Sequence, residues 1–279
     1  MKIGIVGLGL IGGSLGLKLQ NLNHTIYGVT NNIINQQKAK DRKLANFVSC
    51  DLKILKDCEL IILALPIKNL IYPSQELIDA IPKKAIVTDV GSIKKPIIKK
   101  WETIHPCFVG SHPMAGTEKK GVNSGFQDLF QNAKWIITPT QNTDLEAVNR
   151  LSELISSLEC EVCKASPEEH DKAVSLISHL PIFLASALIN TANEETNNSF
   201  SHLTQKLAAS GFSDTTRVGA GNPQLGLDLA IHNQENLLNA IEVFKENIQE
   251  LESLIKDENW ESLSKKLTTA KELRQKFIN

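Results

Sequence analysis

Aromatic side chains are scarce in this sequence, only 5% of its 279 residues, too few for the stacking platform that holds single-stranded nucleic acid. Net charge is nearly absent too: 30 Lys and Arg stand against 31 Asp and Glu, a formal balance of -1. No general attraction to nucleic acid or to an anionic membrane surface follows from that balance, so neither is expected as a partner. Long hydrophobic runs are missing. The longest, Leu60 to Ile67, falls far short of the roughly 20 residues that cross a bilayer. Met1-Lys2 leads straight into an apolar run with no charged leader, small-residue cleavage site or transit composition, which makes the cytoplasm the expected location. Cysteines are few, odd in number and scattered: Cys50, Cys58, Cys107, Cys160 and Cys163. Cys160-Glu161-Val162-Cys163 has the C-x-x-C spacing, but no second pair or nearby His completes a zinc site. It also falls in an expected strand, where residues three apart point to opposite faces. Structural or surface thiols are the reading, with no metal.

What remains is the composition of a globular protein with a real core, 42% hydrophobic and 22% charged. Its length allows one large domain or two ordinary ones. The first half alternates short apolar runs with helical patterns, the signature of a mostly parallel, doubly wound sheet. Lys2 to Gly7, Thr25 to Thr30, Glu59 to Leu65 and Ala85 to Asp89 read as strands. Pro106 to Gly110, Lys134 to Pro139 and Glu159 to Lys164 follow. The unbroken apolar character of Glu59 to Leu65 is expected of a central strand covered on both faces. Helical spacing runs from Leu10 to Gln20 and through Leu145, Val148, Leu151, Leu154, Ile155 and Leu158.

After residue 165 the character changes. Ser166-Pro167-Glu168-Glu169 is a helix start: a capping serine, proline at the first position, then acids facing the positive helix end. No strand pattern follows, and Ile241 to Ile255 and Trp260 to Phe277 are long helical stretches. The expected division is therefore a dinucleotide-binding α/β domain, residues 1–165, followed by an all-helical domain, residues 166–279. No further βαβ-like segment follows, so an appended regulatory domain is not expected. The stripe of Leu237, Leu238, Ile241, Phe244, Ile248, Leu251 and Ile255 serves an intramolecular core or an interface between two copies; the sequence does not divide them.

Gly7-Leu8-Gly9-Leu10-Ile11-Gly12 is G-x-G-x-x-G. Alone the pattern is weak, but here it follows an apolar strand and opens a helix. The first glycine permits the tight turn, the second lets backbone approach a pyrophosphate, and the third lets helix and strand pack closely. The unpaired amides of that helix then face the phosphates. An NAD site usually places Asp or Glu at the end of the second strand, about 20 residues on, for the ribose hydroxyls. Here that place reads Thr30-Asn31-Asn32, with no carboxylate to repel a 2′-phosphate, and NADP is the expected cofactor. Lys38, Lys40 or Arg42 would add positive charge there, or are a solvated helix face. Leu65 and Pro66, past the next strand, are expected along the same cofactor.

Two further segments sit where open α/β sheets bind ligands, past strand carboxyl ends. They are Asp89-Val90-Gly91-Ser92-Ile93-Lys94 and Gly110-Ser111-His112-Pro113-Met114-Ala115-Gly116-Thr117-Glu118. A lone histidine is more often structural than catalytic. His112, however, lies after a buried-type strand between Ser and Pro, which reads as a loop shaped to present it, and its side chain suits proton transfer near neutrality.

With the glycine motif, these segments resemble the prephenate and arogenate dehydrogenase family. So do Ser178-His179-Leu180-Pro181 and Gly211-Phe212-Ser213-Asp214-Thr215-Thr216-Arg217, and all recur in the family's order across nearly the whole chain. The resemblance implies a nucleotide-binding domain joined to a helical domain through which two subunits dimerise. It implies His112 as the catalytic base and Ser92 as the serine that bonds the reacting hydroxyl and helps position the nicotinamide. Arg217, on the residues alone equally a surface side chain or an ion-pair partner of Asp214, becomes the clamp on a ring carboxylate, a bidentate task suited to Arg. Ser111, Thr117, His179 and Asp214 become pocket residues in a cleft between the domains, though ordinary loop and helix-end hydrogen bonding would account for them equally.

The implied substrate is arogenate or prephenate. Where the family often continues Ser-His-Leu-Pro with a second histidine, this chain has Ile182. Losing a potential cation should harm prephenate, whose side chain is a bare keto acid, more than arogenate, whose ammonium offsets its carboxylate. With the NADP-type strand end, this favours an arogenate dehydrogenase making tyrosine. Another two-domain dehydrogenase of the 3-hydroxyacid type would need a helical-domain lysine for which no segment is evident. A non-catalytic NADP sensor would have no need of Ser92, His112 and Arg217 together.

Overall fold

A computed structural model of the chain, describing residues 1–117, 119–196 and 201–278, has the expected α/β half followed by helices. The chain begins β1 (Lys2–Val6), α1 (Leu10–Asn21), β2 (Thr25–Val29), α2 (Ile33–Asp41) and β3 (Phe47–Ser49). It continues through β4 (Leu60–Leu63), α3 (Ile67–Ile71), α4 (Gln75–Ala80), β5 (Ile86–Asp89) and α5 (Lys95–Trp101). Then come β6 (Phe108–Pro113), β7 (Lys134–Thr138), α6 (Leu145–Ser157) and β8 (Glu161–Lys164).

These strands form one eight-stranded sheet in the order β3-β2-β1-β4-β5-β6-β7-β8. Strand β1 pairs in parallel with β2 on one side and β4 on the other, Ile3 facing Thr25's neighbour Ile26 and Leu60. The order reverses between β1 and β4, which is where ligands of such sheets bind. The apolar run of β4 has a simple cause: Leu60 and Ile62 enter the core on one face, Ile61 and Leu63 the core on the other. Helix α6 completes the first core with Val148, Leu151, Leu154 and Ile155, while α5 supplies Ile97, Ile98 and Trp101 to the second.

One pairing was not foreseen. Strand β7 runs antiparallel to β6, with Ser111 opposite Ile137 and His112 opposite Ile136. This pairing extends β6 to Pro113, so His112 stands within a strand, not in the loop expected after Gly110. The partner strand begins more than twenty residues later, so no local signal announces the extension.

After the sheet, α7 (Pro167–Val174) opens on Ser166 with the expected cap. The Ser166 Oγ accepts from Glu169 N–H (3.2 Å) and the Glu169 carboxylate accepts from Ser166 N–H (2.9 Å). Donation from Ser166 N–H, and then from the Ser166 hydroxyl (2.7 Å), holds the exposed Glu169 carboxyl below its usual range. A single π turn (Ser175–His179) joins α7 to α8 (Leu180–Thr196). Pro181 explains it: proline has no N–H to give and its ring crowds the carbonyl one turn back, so the helix widens there. The first compact unit, Met1–Gln234, also holds α9 (Ser201–Leu207), α10 (Ser210–Thr216), a 3-10 turn (Arg217–Ala220) and α11 (Pro223–His232). Helix α7 packs against α5 and β7, and α11 against α3.

The continuous run Pro167–Glu194 is long and apolar enough to cross a membrane by length and composition. The reading of Leu60 to Ile67 as the longest apolar stretch missed it, because Ser and His residues interrupt the run while the aliphatic residues between them keep its mean high. It buries His170, Asp171 and His179, the polar contacts of a helix packed on protein. The second compact unit, Glu235–Asn279, is built from α12 (Gln234–Lys256) and α13 (Trp260–Ile278), tied by the ion pair of Glu250 with Lys266. Leu238, Ile248 and Ile255 of the expected stripe are exposed there.

Candidate active site

The turn after β1 has the geometry of a dinucleotide cradle. Gly7 has φ +97°, and a Cβ on it would stand 2.3 Å from the Ala64 carbonyl oxygen. A Cβ on Gly12 would stand 1.9 Å from the Gly7 carbonyl oxygen, so strand and helix touch backbone to backbone. A Cβ on Gly9 would meet nothing within 4 Å. Gly9 therefore answers to an open space, as a residue does when a ligand must approach its backbone. No side chain caps α1 at Gly9, which leaves its first amides for an anion. Leu8 turns its side chain into the core beneath Gly28, and Leu10 and Ile11 are half-buried, so their share in the cradle is backbone. These residues fit a dinucleotide.

At the end of β2, Thr30 is buried, its N–H donating to the Ser49 carbonyl (3.0 Å). Asn32 caps α2 by accepting from Asn35 N–H (2.8 Å), and Asn31 Oδ1 accepts from the amides of Asn32 (3.1 Å) and Asn35 (2.8 Å). No carboxylate faces this corner from Thr30, Asn31 or Asn32. Of the three cations considered, Arg42 is committed elsewhere: its guanidinium donates to the carbonyls of Val122 and Gly125 (2.5 Å). It holds down the segment whose Gly125 lies against Gly13 and whose Phe126 N–H donates to Ser14 Oγ (2.9 Å). Lys38 and Lys40 are exposed. Leu65 is half-buried against the second core, and Pro66 is exposed at the start of α3.

Beside the cradle, the turn after β5 is built on a buried ion pair. Lys94 Nζ meets the Asp89 carboxylate and donates to the Ser111 carbonyl (2.6 Å), and both charged side chains are fully buried. Asp89 also accepts from the N–H groups of Gly91 (2.8 Å) and Ser111 (3.2 Å). Burial pushes the Asp89 carboxyl up and the Lys94 ammonium down, each opposed by the other's charge. Ser92 rides half-buried on the turn so formed. The expectation that Ser111 lines the pocket with its side chain is corrected. Its Oγ donates to the Asp89 carbonyl (2.8 Å) and lies 2.9 Å from Thr88 Oγ1, wholly inside the protein. The strand pleat decides this: neighbours alternate faces, and His112 takes the other one.

His112 Nδ1 lies 2.9 Å from His170 Nε2, with the rings at 73°. His170 Nδ1 in turn lies 2.8 Å from Asp171 Oδ1. The Asp171 carboxylate accepts the N–H groups of Lys94 (2.7 Å) and Lys95 (2.9 Å), closing the start of α5. Burial, then the neighbouring His170, Lys94 and His179, holds the His112 imidazolium well below the usual histidine range. A ring kept neutral at physiological pH can accept a proton. His179, also fully buried, accepts from Asn233 Nδ2 at Nδ1 (3.2 Å). Its Nε2 makes no hydrogen bond of good geometry among the described residues, though the Ser92 backbone is near enough to favour a proton on the ring. Burial lowers it to about 4. Asn233 also donates to the Asp171 carbonyl (2.8 Å), tying the end of α11 into the cluster.

The chain thus brings together Ser92, His112 and His179, and adds Asp89, Lys94, His170, Asp171 and Asn233, to which sequence reasoning gave no role. A His-Asp step on the first turns of a capped helix was the one available signal. Thr117, Asp214 and Arg217 are not in this cluster. Thr117 is exposed and accepts from Lys119 N–H (3.2 Å); Glu118, the end of its motif, lies outside the described residues. Asp214 and Arg217 are exposed, and no ion pair joins them among the described residues. The 3-10 turn that begins at Arg217 packs on α8, where a Cβ on Gly219 would touch the Ala185 backbone, about 9 Å of helix rise past His179. Among the described residues, no group of three or more His, Cys, Asp and Glu is placed to hold a metal.

Comparison with known proteins adds to this geometry. Residues 14–164 match the family model described as prephenate dehydrogenase, nucleotide-binding domain, and residues 166–269 the one described as prephenate dehydrogenase, dimerization domain. The chain is 33% identical to the prephenate dehydrogenase of Bacillus subtilis, over 97% of this chain and 74% of that protein. It superposes on the crystal structure of Synechocystis arogenate dehydrogenase with a TM-score of 0.86 at 37% identity, covering all of both chains. It superposes on prephenate dehydrogenase from Aquifex aeolicus, in complex with hydroxyphenyl propionate and NAD+, with a TM-score of 0.89 at 30% identity, over 99% and 98% of the two chains.

Proposed function

We propose that this chain, which belongs to the prephenate dehydrogenase family, is an arogenate dehydrogenase that uses NADP to convert L-arogenate to L-tyrosine and carbon dioxide. The observation that carries the reading is a buried neutral imidazole, His112, beside the Ser92 turn and a glycine cradle fitted to a dinucleotide. The bound cofactor would accept a hydride from the ring carbon that carries the substrate hydroxyl.

The chain's own residues account for the rest. His112 Nε2 takes the hydroxyl proton as that carbon becomes a carbonyl, and Ser92 holds the same hydroxyl in line. The new carbonyl is vinylogous to the ring carboxylate, so carbon dioxide leaves. The bonding pair it leaves behind makes the ring an aromatic phenolate, and the proton held on His112 returns to that oxygen. Arg217 is exposed and forms no ion pair among the described residues, and its planar donors suit that carboxylate. Arg217 shares no hydrogen bond with His112, His170 or His179 among the described residues, so the clamp forms as substrate binds. In this reading residues 1–165 hold cofactor and base, and residues 166–279 supply substrate contacts and a homodimer interface. That division is in line with the family models matched at residues 14–164 and 166–269.

Two features support arogenate and NADP within the family. Ile182, where a second histidine would supply a cation, packs half-buried against an apolar cluster. The Thr30-Asn31-Asn32 corner carries no carboxylate to repel a 2′-phosphate. The competing reading, prephenate with NAD, is favoured by the names of the Bacillus and Aquifex relatives and by the NAD+ in the latter's complex. Assaying arogenate and prephenate against NADP and NAD separates the four combinations. The highest kcat/KM is expected for arogenate with NADP; equal or better turnover of prephenate overturns the substrate, and equal or better use of NAD overturns the cofactor.

A further inference from the structure

A histidine base works only through a ring nitrogen that carries a lone pair, and the surroundings of His112 select which nitrogen that is. Its Nδ1 faces His170 Nε2 at 2.9 Å, and one hydrogen must lie between them. The next contact orders the series. His170 Nδ1 faces Asp171 Oδ1 at 2.8 Å, and that carboxylate already accepts two backbone N–H groups at the start of α5. Both oxygens of that carboxylate are thus spent as acceptors of N–H groups, so the contact with His170 is an N–H of the ring donating to oxygen.

We propose that His170 and Asp171 are positioning residues that fix the tautomer of His112, leaving its Nε2 bare to receive the substrate proton. This rests on His112 being the base, as argued above. The Asp171 carboxylate requires a hydrogen on His170 Nδ1. Neutral His170 then offers a lone pair at Nε2, which requires a hydrogen on His112 Nδ1 and so leaves Nε2 unprotonated. The reverse order would set the His170 Nδ1 lone pair against the carboxylate oxygen. A doubly protonated His170 would force the hydrogen of His112 onto Nε2 and abolish the base.

The same series serves the transfer itself. The substrate O–H bond breaks, its proton joins His112 Nε2, and the ring becomes an imidazolium that still donates through Nδ1. The fixed charge of Asp171, one ring away, offsets the charge so created. Closing the start of α5 gives Asp171 a structural task, but it does not account for His170, whose ring joins that carboxylate to His112. His170 and Asp171 are 3% and 2% exposed, and a polar pair hidden to that degree is no better for stability than apolar residues of the same shape.

The test is ¹⁵N NMR of imidazole-labelled full-length protein, alongside kcat and KM with each candidate substrate. In the unaltered protein His112 should give a protonated-type Nδ1 and a bare Nε2. His170→Phe should mix the two forms and lower kcat about 100-fold or more, with substrate KM within about 2-fold. His170→Gln, whose carbonyl can accept the same hydrogen, should restore the tautomer and most of the rate. A protonated Nε2 in the unaltered protein overturns the proposal. So does either variant behaving oppositely: Phe preserving tautomer and kcat, or a folded Gln variant as impaired as Phe. Should the unaltered protein oxidise neither substrate, the assigned reaction fails while the NMR result still decides the tautomer.

Discussion

Lys94 and Asp89 form an ion pair in which neither side chain is exposed at all, at the point where β5 turns toward α5. The pair fastens the Ser92 turn to the strand that carries His112, because Lys94 also donates to the Ser111 carbonyl (2.6 Å) and Asp89 accepts from Ser111 N–H (3.2 Å). Two elements of the site are therefore set in register by one buried contact.

Removing one partner should be far worse than the pair is good. Lys94→Met keeps the length and apolar stem but strands a buried carboxylate. A loss of about 3–5 kcal/mol is expected, read from the midpoint of urea unfolding. A loss under about 1 kcal/mol would mean that Asp89 is satisfied by its backbone donors or neutralised by a proton.

Alanine at Gly9 and at Gly12 should fail in opposite ways. The Gly9 Cβ meets no protein atom, so Gly9→Ala should leave the melting temperature unchanged and weaken dinucleotide binding at least 10-fold, followed by NADPH fluorescence. The Gly12 Cβ would sit 1.9 Å from the Gly7 carbonyl oxygen, so Gly12→Ala should lower the melting temperature itself. Equal behaviour of the two would remove the argument that Gly9 faces a ligand.

His112→Asn should lower kcat by about 10²–10⁴-fold, the usual worth of a general base. NADPH affinity should stay within about 2-fold. The low proton affinity of His112 adds a pH signature: kcat should hold level as pH falls through 6.5 and decline only below it. A decline centred at or above pH 6.5 would assign the limiting ionisation to another group.

Acid should loosen the fold through the buried histidines. His179 binds a proton near pH 6.5 when unfolded and only near about 4 when folded, so the unfolded chain takes up protons first as pH falls. The stability it lends is complete above pH 6.5 and drains away between 6.5 and about 4, a few kcal/mol by linkage on the order of 1.4 kcal/mol per unit. Denaturation midpoints at pH 7.5 and 4.5 should differ accordingly, and His179→Gln should narrow the difference. An equal pH dependence in that variant would locate the sensitivity elsewhere.

What the sequence by itself determined were features that depend on neighbours along the chain. Gly7, Gly9 and Gly12, set between an apolar strand and a helical pattern, pointed to a tight turn built to approach a dinucleotide. The apolar run through Leu60 to Leu63 had to be a strand covered on both faces, and Ser166-Pro167 had to begin a helix. Only the tertiary structure decided matters of pairing and direction. Antiparallel β7 turned the expected loop at His112 into a strand, whose pleat sent Ser111 inward and His112 toward α7. Arg42, read as a possible cofactor contact, went to the carbonyls of Val122 and Gly125, and His170 and Asp171 became partners of His112 from the far side of the sheet sequence. Backbone shape and burial leave a local trace in residue order, whereas a side chain's hydrogen-bond partner is chosen by whatever distant segment folds against it.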